Sequence, residues 1–223
     1  MSNNRVIRTR SSLAWIIIIA LLIIDQAVKI YIKTSFYLGE SHEIFSWFQI
    51  RFIENPGMAF GMELGSKLFL TLFRIIVVGG LIYYMGKVIR HAFMPLGYVI
   101  CLALIVAGAA GNIFDCLFYG MIFNNPMPPQ VASFVPWGEG YAPMFYGKVV
   151  DMLYFPLFSF TWPEWLPVLG GKVFSFFDPV FNIADSAISV GMVWLIVFYH
   201  NCLGSFDEVK EKLCRHKEYD DRS

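Results

Sequence analysis

Leu13-Ala14-Trp15-Ile16-Ile17-Ile18-Ile19-Ala20-Leu21-Leu22-Ile23-Ile24-Asp25-Gln26-Ala27-Val28-Lys29-Ile30-Tyr31 is apolar as far as Ile24, then admits one carboxylate and one amine four residues apart. A helix that crosses a bilayer needs ~20 predominantly apolar residues, and this stretch supplies them. Arg5, Arg8 and Arg10 precede it, so a cleavable secretory signal is the competing reading. The apolar core is followed by Asp25, Lys29 and Lys33 with no small-residue cleavage pattern, which favours a retained helix.

Three further stretches are long enough to span, at about 68–85, 96–117 and 184–203. The expected fold is therefore membrane α-helical, with four transmembrane helices and a small extracytoplasmic β-element. A single integral-membrane domain is expected over 1–223, with spans at about 13–31, 68–85, 96–117 and 184–203. Its external loops would cover about 32–67 and 118–183, the second carrying an extended insertion at about 120–146.

Composition supports this reading. The chain of 223 residues is 57% hydrophobic and 15% charged, where soluble domains carry about 25% charged residues. Lys and Arg equal Asp and Glu at 17 each, so the basic footprint of nucleic-acid binding is missing and no nucleic-acid partner is expected. Cys101, Cys116, Cys202 and Cys214 form no CxxC pair and no metal spacing with His42, His91, His200 or His216. Neither HExxH nor GxSxG occurs, so zinc-protease and serine-hydrolase chemistry have no support, and no metal or organic cofactor is expected.

Charge orients the bundle. Arg5, Arg8 and Arg10, then Lys87 and Arg90, then Lys210, Lys212, Arg215 and Lys217 fall in three segments on one side of a four-span protein. Cytoplasmic segments are the ones enriched in Lys and Arg, so both termini are expected in the cytoplasm. The opposite side holds Arg51, Lys67, Lys148 and Lys172 across many more residues. There, Phe48-Gln49-Ile50-Arg51-Phe52 alternates as a half-buried strand does. Val149 to Phe160, interrupted by Pro156, suggests one or two edge strands. Trp47, Trp137, Trp162 and Trp165 suit a membrane–water interface. Proline, glycine and polar residues between Asn124 and Tyr146 point to an irregular insertion.

The polar groups gather at the outer ends of the spans. Asp25 and Lys29 share a helix face and can pair, whether to anchor the helix end or to serve a site. Asn55 lies in the turn Glu54-Asn55-Pro56-Gly57-Met58-Ala59-Phe60, which alone is an ordinary loop turn. Gly108-Ala109-Ala110-Gly111 lets another helix approach, which would bring Asn112 and Asp115 into the bundle. Asn182 and Asp185 repeat the Asn-x-x-Asp spacing at the start of the last span. Asp185 alone could be an N-cap. A cap needs neither Asn182 nor Asp151 at the end of an aromatic strand.

A carboxylate in a membrane segment is a functional candidate because burying it costs ~2.5–3.5 kcal/mol on insertion scales. Two that meet, here Asp151 and Asp185, hold one proton between them. The ionised member then takes a proton from water while the protonated one hydrogen-bonds the scissile carbonyl and assists the leaving amine. Asn55, Asn112 or Asn182 would stabilise carbonyl charge or orient the acids.

Five ordered blocks resemble the signature of lipoprotein signal peptidase (signal peptidase II): Asp25-x-x-x-Lys29, Asn55-Pro56-Gly57-Met58-Ala59-Phe60, Gly111-Asn112-Ile113-Phe114-Asp115, Val149-Val150-Asp151 and Phe181-Asn182-Ile183-Ala184-Asp185-Ser186-Ala187. The resemblance implies a bacterial inner-membrane aspartyl endopeptidase of four helices with an external β-element. It would cut prolipoproteins bearing diacylglycerol immediately before the lipidated cysteine. Asp151 and Asp185 match the catalytic pair. Asp25, Lys29, Asn55, Gly57, Ala59, Asn112, Asp115, Asn182 and Ala184 match positions that shape or support the site. The partners expected are lipid-modified prolipoprotein signal peptides and membrane lipid, and a monomer with its active site near the outer leaflet is expected.

Two features depart from the family pattern. Cys116 follows Asp115 where the family usually has arginine, so a guanidinium contact is missing or comes from another residue. The stretch from Asp115 to Asp151 is longer than in compact members and would form a lid or an outer-leaflet platform. Two other functions fit buried acids. A small transporter or proton-relay component would need acids at mid-membrane depth and usually inverted repeats. A non-catalytic assembly factor would use the same aspartates only as caps and ion pairs.

Overall fold

The computed structural model describes residues 3–56, 67–156, 158–176, 179–204 and 206–211. Four helices in it are long and apolar enough to cross a membrane. These are α1 (Asn3–Ser35), α2 (Lys67–Arg90), α3 (Leu96–Phe114) with its extension to Ile122, and α5 (Ile183–Tyr199) with a short 3-10 turn to Cys202. The extension of α3 is a π-helical turn, Asp115–Tyr119, and a last α turn, α4 (Gly120–Ile122).

At 33 residues, α1 is about 50 Å long, well beyond the hydrocarbon thickness. It outruns the apolar stretch that foretells it at both ends. Towards its C-terminus this is because Asp25, Lys29 and Lys33 are buried and paired rather than turned to lipid.

The chain divides into two compact units. The first comprises Met1–Ile24, Leu72–Ile113 and Ala184–Ser223 and is helical throughout its described regular elements. Close helix packing organises it. A Cβ on Gly108 would strike the Ala184 carbonyl oxygen and Ile188, and one on Gly191 would meet the Cys101 carbonyl oxygen and Ile105. Small residues thus seat α3 directly on the backbone of α5. The Arg10 guanidinium donates to the carbonyls of His91 and Ala92 at 3.2 and 3.1 Å, tying α1 to the end of α2. Such a contact satisfies carbonyls that a helix end leaves orphaned.

The second unit comprises Asp25–Thr71 and Phe114–Ile183. It carries a four-stranded antiparallel sheet in the order β1 (Ser41–Phe45), β2 (Phe48–Asn55), β3 (Val149–Tyr154), β6 (Val180–Phe181). A separate hairpin-like pair joins β4 (Phe158–Thr161) and β5 (Val173–Phe176). The reading of 149–160 as edge strands is corrected for β3, which lies between β2 and β6. Pro156 falls after its last residue and removes no ladder bond. Val150 and Met152 pack with Ile32, Phe52, Tyr119 and Phe123 in a buried cluster. Side chains alternate along a strand, so Asp151 between them faces the other way.

The insertion folds back on the end of the third span. The N–H groups of Val135, Tyr141 and Ala142 donate to the carbonyls of Ile122, Phe123 and Gly120, and Gly147 N–H donates to Cys116 O at 2.9 Å. A side chain at Gly147 would collide with the backbone at Asp115. On the same unit, Phe45, Trp47, Phe155, Phe48 and Phe181 form a run of stacked or tilted rings 4.9–6.2 Å apart. Phe45 and Trp47 are exposed, a placement that suits aromatic anchors at a membrane interface.

Candidate active site

In the sheet-bearing unit, three residues of α1 meet the π turn. Lys29 Nζ lies 2.9 Å from Asp25 Oδ2 and 2.8 Å from Asp115 Oδ2, and all three side chains have no exposed surface. Gln26 donates to Asp115 Oδ1 at 2.8 Å and to Asp25 Oδ2 at 3.2 Å. Its own carbonyl accepts from Tyr119 Oη at 3.0 Å. Two buried carboxylates around one ammonium are tolerable only with this density of donors. The π turn places Asp115 and Tyr119 at the ends of one five-residue segment, and both reach this cluster. Such turns recur at functional sites.

The cluster extends to the sheet. Val150 N–H points at Asp115 Oδ2, 3.4 Å away, and the next residue is Asp151. Asp151 is 3% exposed and accepts a hydrogen bond from Asn182 Nδ2 at 2.7 Å. The β2–β3 register shifts between Ile50↔Leu153 and Ile53↔Asp151. This irregularity beside Asp151 re-aims the strand, as bulges next to active sites do. Asn55 closes β2 opposite Val149. Gly57 and Ala59 lie outside the described residues.

A second ion group sits nearby in the same unit. Glu54 binds Lys33 through Oε1 and Lys148 through Oε2, the latter at 2.7 Å. Both ammonium groups lie over the Tyr141 ring, at 5.2 and 5.3 Å. Tyr141 Oη accepts the Lys148 backbone N–H at 2.7 Å. Burial raises the Glu54 carboxyl, but the adjacent ammonium groups more than offset this and hold it below the usual glutamate value.

In the helical unit, Asp185 is the third residue of α5, inside the first turn. Asn112 Nδ2 donates to its Oδ1 at 2.8 Å. The start of α5 favours a carboxylate through the helix dipole. Ala184 is fully buried because Gly108 approaches its carbonyl. Asp185 and Asn112 line a cavity of about 280 Å³ together with Arg74.

Asp151 and Asp185 are thus each held by an asparagine singled out in the sequence, Asn182 and Asn112 respectively. Gln26, Tyr119, Lys33, Glu54, Lys148 and Arg74 were not foreseen. The 25-29-33 spacing was the available signal for Lys33, and a lone cation in an apolar span was the signal for Arg74. Cys101, Cys116 and Cys202 are buried. Among the described residues, no group of three or more His, Cys, Asp or Glu side chains could hold a metal ion.

Residues 17–200 match the model of the signal peptidase (SPase) II family. The chain is 53% identical to a lipoprotein signal peptidase of Porphyromonas gingivalis over 183 residues, 82% of this chain and 80% of that protein. The chain belongs to the signal peptidase II family. A lipoprotein signal peptidase of Amoebophilus asiaticus is 36% identical over 189 residues, covering 80% of this chain and 75% of the relative. A bacterial membrane enzyme solved at 1.9 Å shares the fold, with a TM-score of 0.55 at 23% identity over 83% of this chain and 91% of that one.

Family membership decides for a signal peptidase II protease over the transporter and assembly-factor readings. With four spanning helices, the chain is a multi-pass protein of the bacterial inner membrane.

Proposed function

We propose that this signal peptidase II removes signal peptides from diacylglyceryl-modified prolipoproteins, cutting before the lipidated cysteine, with Asp151 and Asp185 as its acid–base pair. The observation that carries the assignment is that each aspartate is oriented by its own asparagine, at 2.7 and 2.8 Å, within a chain of this family.

The mechanism follows from the two carboxyls. One is ionised and takes a proton from a water molecule, whose oxygen attacks the scissile carbonyl carbon. The other is protonated and donates to the carbonyl oxygen as charge develops there. Collapse of the tetrahedral adduct breaks the C–N bond, and the proton first taken from water passes to the leaving amine. Asn182 and Asn112 fix which carboxylate oxygens remain available. The cluster of Asp25, Lys29 and Asp115 supports β3 through the Val150 N–H. By the family resemblance, Asn55, Gly57, Ala59 and Ala184 are the remaining supporting positions.

The reaction centre is placed near the outer leaflet, with both termini in the cytoplasm. The clusters of Arg and Lys in the short segments support that orientation. The enzyme acts as a monomer on membrane-embedded precursors and has no nucleic-acid partner, in keeping with its zero formal charge. The test is intact-mass analysis of a diacylglyceryl-modified prolipoprotein, and of its unmodified form, after incubation with the purified enzyme. Cleavage of the modified form alone, immediately before the lipidated cysteine, is the expected result. An uncut modified precursor, or a cut elsewhere, would overturn the assignment.

A further inference from the structure

Arg74 is a cation that the reaction outlined above does not use. It lies in the apolar span α2, about 10 Å along the axis from Lys67. Arginine inside a bilayer is costly and marks a functional position by default. Here it shares a cavity of about 280 Å³ with Asp185 and Asn112, the other walls being apolar, among them Phe73, Val78 and Ile188.

A second cavity, of about 530 Å³, shares Val77, Ala109 and Ile188 with the first. Its size falls within the roughly 300–1,000 Å³ of ordinary ligand sites. Its two tyrosines, Tyr84 and Tyr98, hydrogen-bond each other at 2.9 Å, so they leave no strong demand for a polar ligand. The remaining lining is aliphatic, including Leu102, Met192 and Leu195. The two cavities therefore adjoin, one carrying Arg74, Asn112 and Asp185 and the other almost wholly apolar.

Charge selects what the first cavity takes. Arg74 and Asp185 balance each other formally, so an incoming phosphate would meet a carboxylate as well as a guanidinium. A neutral group with a strong dipole and an exposed oxygen fits better. We propose that Arg74 binds an ester carbonyl of the substrate's diacylglyceryl group, whose acyl chain runs into the apolar cavity. This rests on the peptidase reading above, with the lipidated cysteine delivered to Asp185.

The test is a two-by-two comparison in detergent. Wild type and Arg74→Gln are each given a prolipoprotein whose glyceryl group carries ester-linked chains or the matching ether-linked chains, which lack the carbonyl. A hydrogen bond to a charged donor makes wild type prefer the ester about tenfold or more in kcat/KM, mostly through KM. Arg74→Gln should not discriminate between the two, and Arg74→Lys should restore part of the preference.

Met192→Trp, which narrows the apolar cavity without touching Arg74, should penalise long acyl chains more than short ones. Equal ester preference in wild type and Arg74→Gln, or no chain-length effect of Met192→Trp, would overturn the proposal. Failure of wild type to cut either substrate would instead strike the peptidase reading itself.

Discussion

Asp151 and Asp185 are held by the same kind of bond in opposite kinds of surroundings. Asp151 sits on a strand, 3% exposed, in a unit whose interior carries the ion cluster of Asp25, Lys29 and Asp115. Asp185 sits half-buried in the first turn of a helix, in a unit built by close contact of apolar helices. Polar burial fixes the first carboxylate, and shape fixes the second. The two should therefore fail differently when their supports are removed.

The largest effect is expected from Lys29→Met. It strands the Asp25 and Asp115 carboxylates without a cation, and breaking a buried ion group in this way costs about 3–5 kcal/mol. Thermal unfolding in detergent should show the loss, and Asp25→Asn should cost clearly less because Lys29 keeps Asp115. Equal losses from the two would mean that the cluster does not carry this unit.

Asn182→Ala comes next. Loss of a hydrogen bond to a buried carboxylate is worth about 1.5–3 kcal/mol, roughly a tenfold to hundredfold fall in kcat. Asn112→Ala should fall by less, since water can reach half-buried Asp185. If Asn112→Ala proves the worse variant, the contrast in burial is the wrong explanation.

Gly108→Ala probes shape alone. Its Cβ meets the Ala184 carbonyl and Ile188, an overpacking worth about 1–3 kcal/mol, and it should lower kcat by displacing Asp185. No change in either would remove close packing as the support of that residue.

The smallest effect concerns pH. Glu54 is held below its ordinary value of 4.5, so the stability it contributes is complete above that pH. It is lost as pH falls through the lower folded value. Melting temperatures taken from neutral pH downwards should therefore show an acid-side decline that is shallower in Glu54→Gln. The variant starts from a lower melting temperature, because Lys33 is buried beside it.

The parts of this account that local pattern could carry were legible. Continuous apolar runs announce the four spans, and the i, i+4 spacing of Asp25 and Lys29 announces their pairing. What pattern could not carry is long-range partnership. Nothing near Asp115 says that Lys29 and Gln26 will reach it, because the π turn that aims it has no periodic signature. The two residues of β6, Val180 and Phe181, are too few to alternate, yet they make β3 an interior strand. Asn112, Asn182, Asp151 and Asp185 were all visible as candidates. Which asparagine serves which acid depended on packing, not on their shared spacing. Arg74 was hidden inside an apolar run, where a single charge reads as tolerated rather than as aimed.

The most direct test of the central claim is single-turnover cleavage by Asp151→Asn, Asp185→Asn and the double variant, each shown to be folded by its melting temperature. Two carboxyls acting as one acid–base unit predict that each single variant loses roughly a thousandfold or more. The double variant should then be little worse than either, as groups that work as a unit are not additive. Losses that multiply in the double variant, or near-normal cleavage by either single variant, would contradict it.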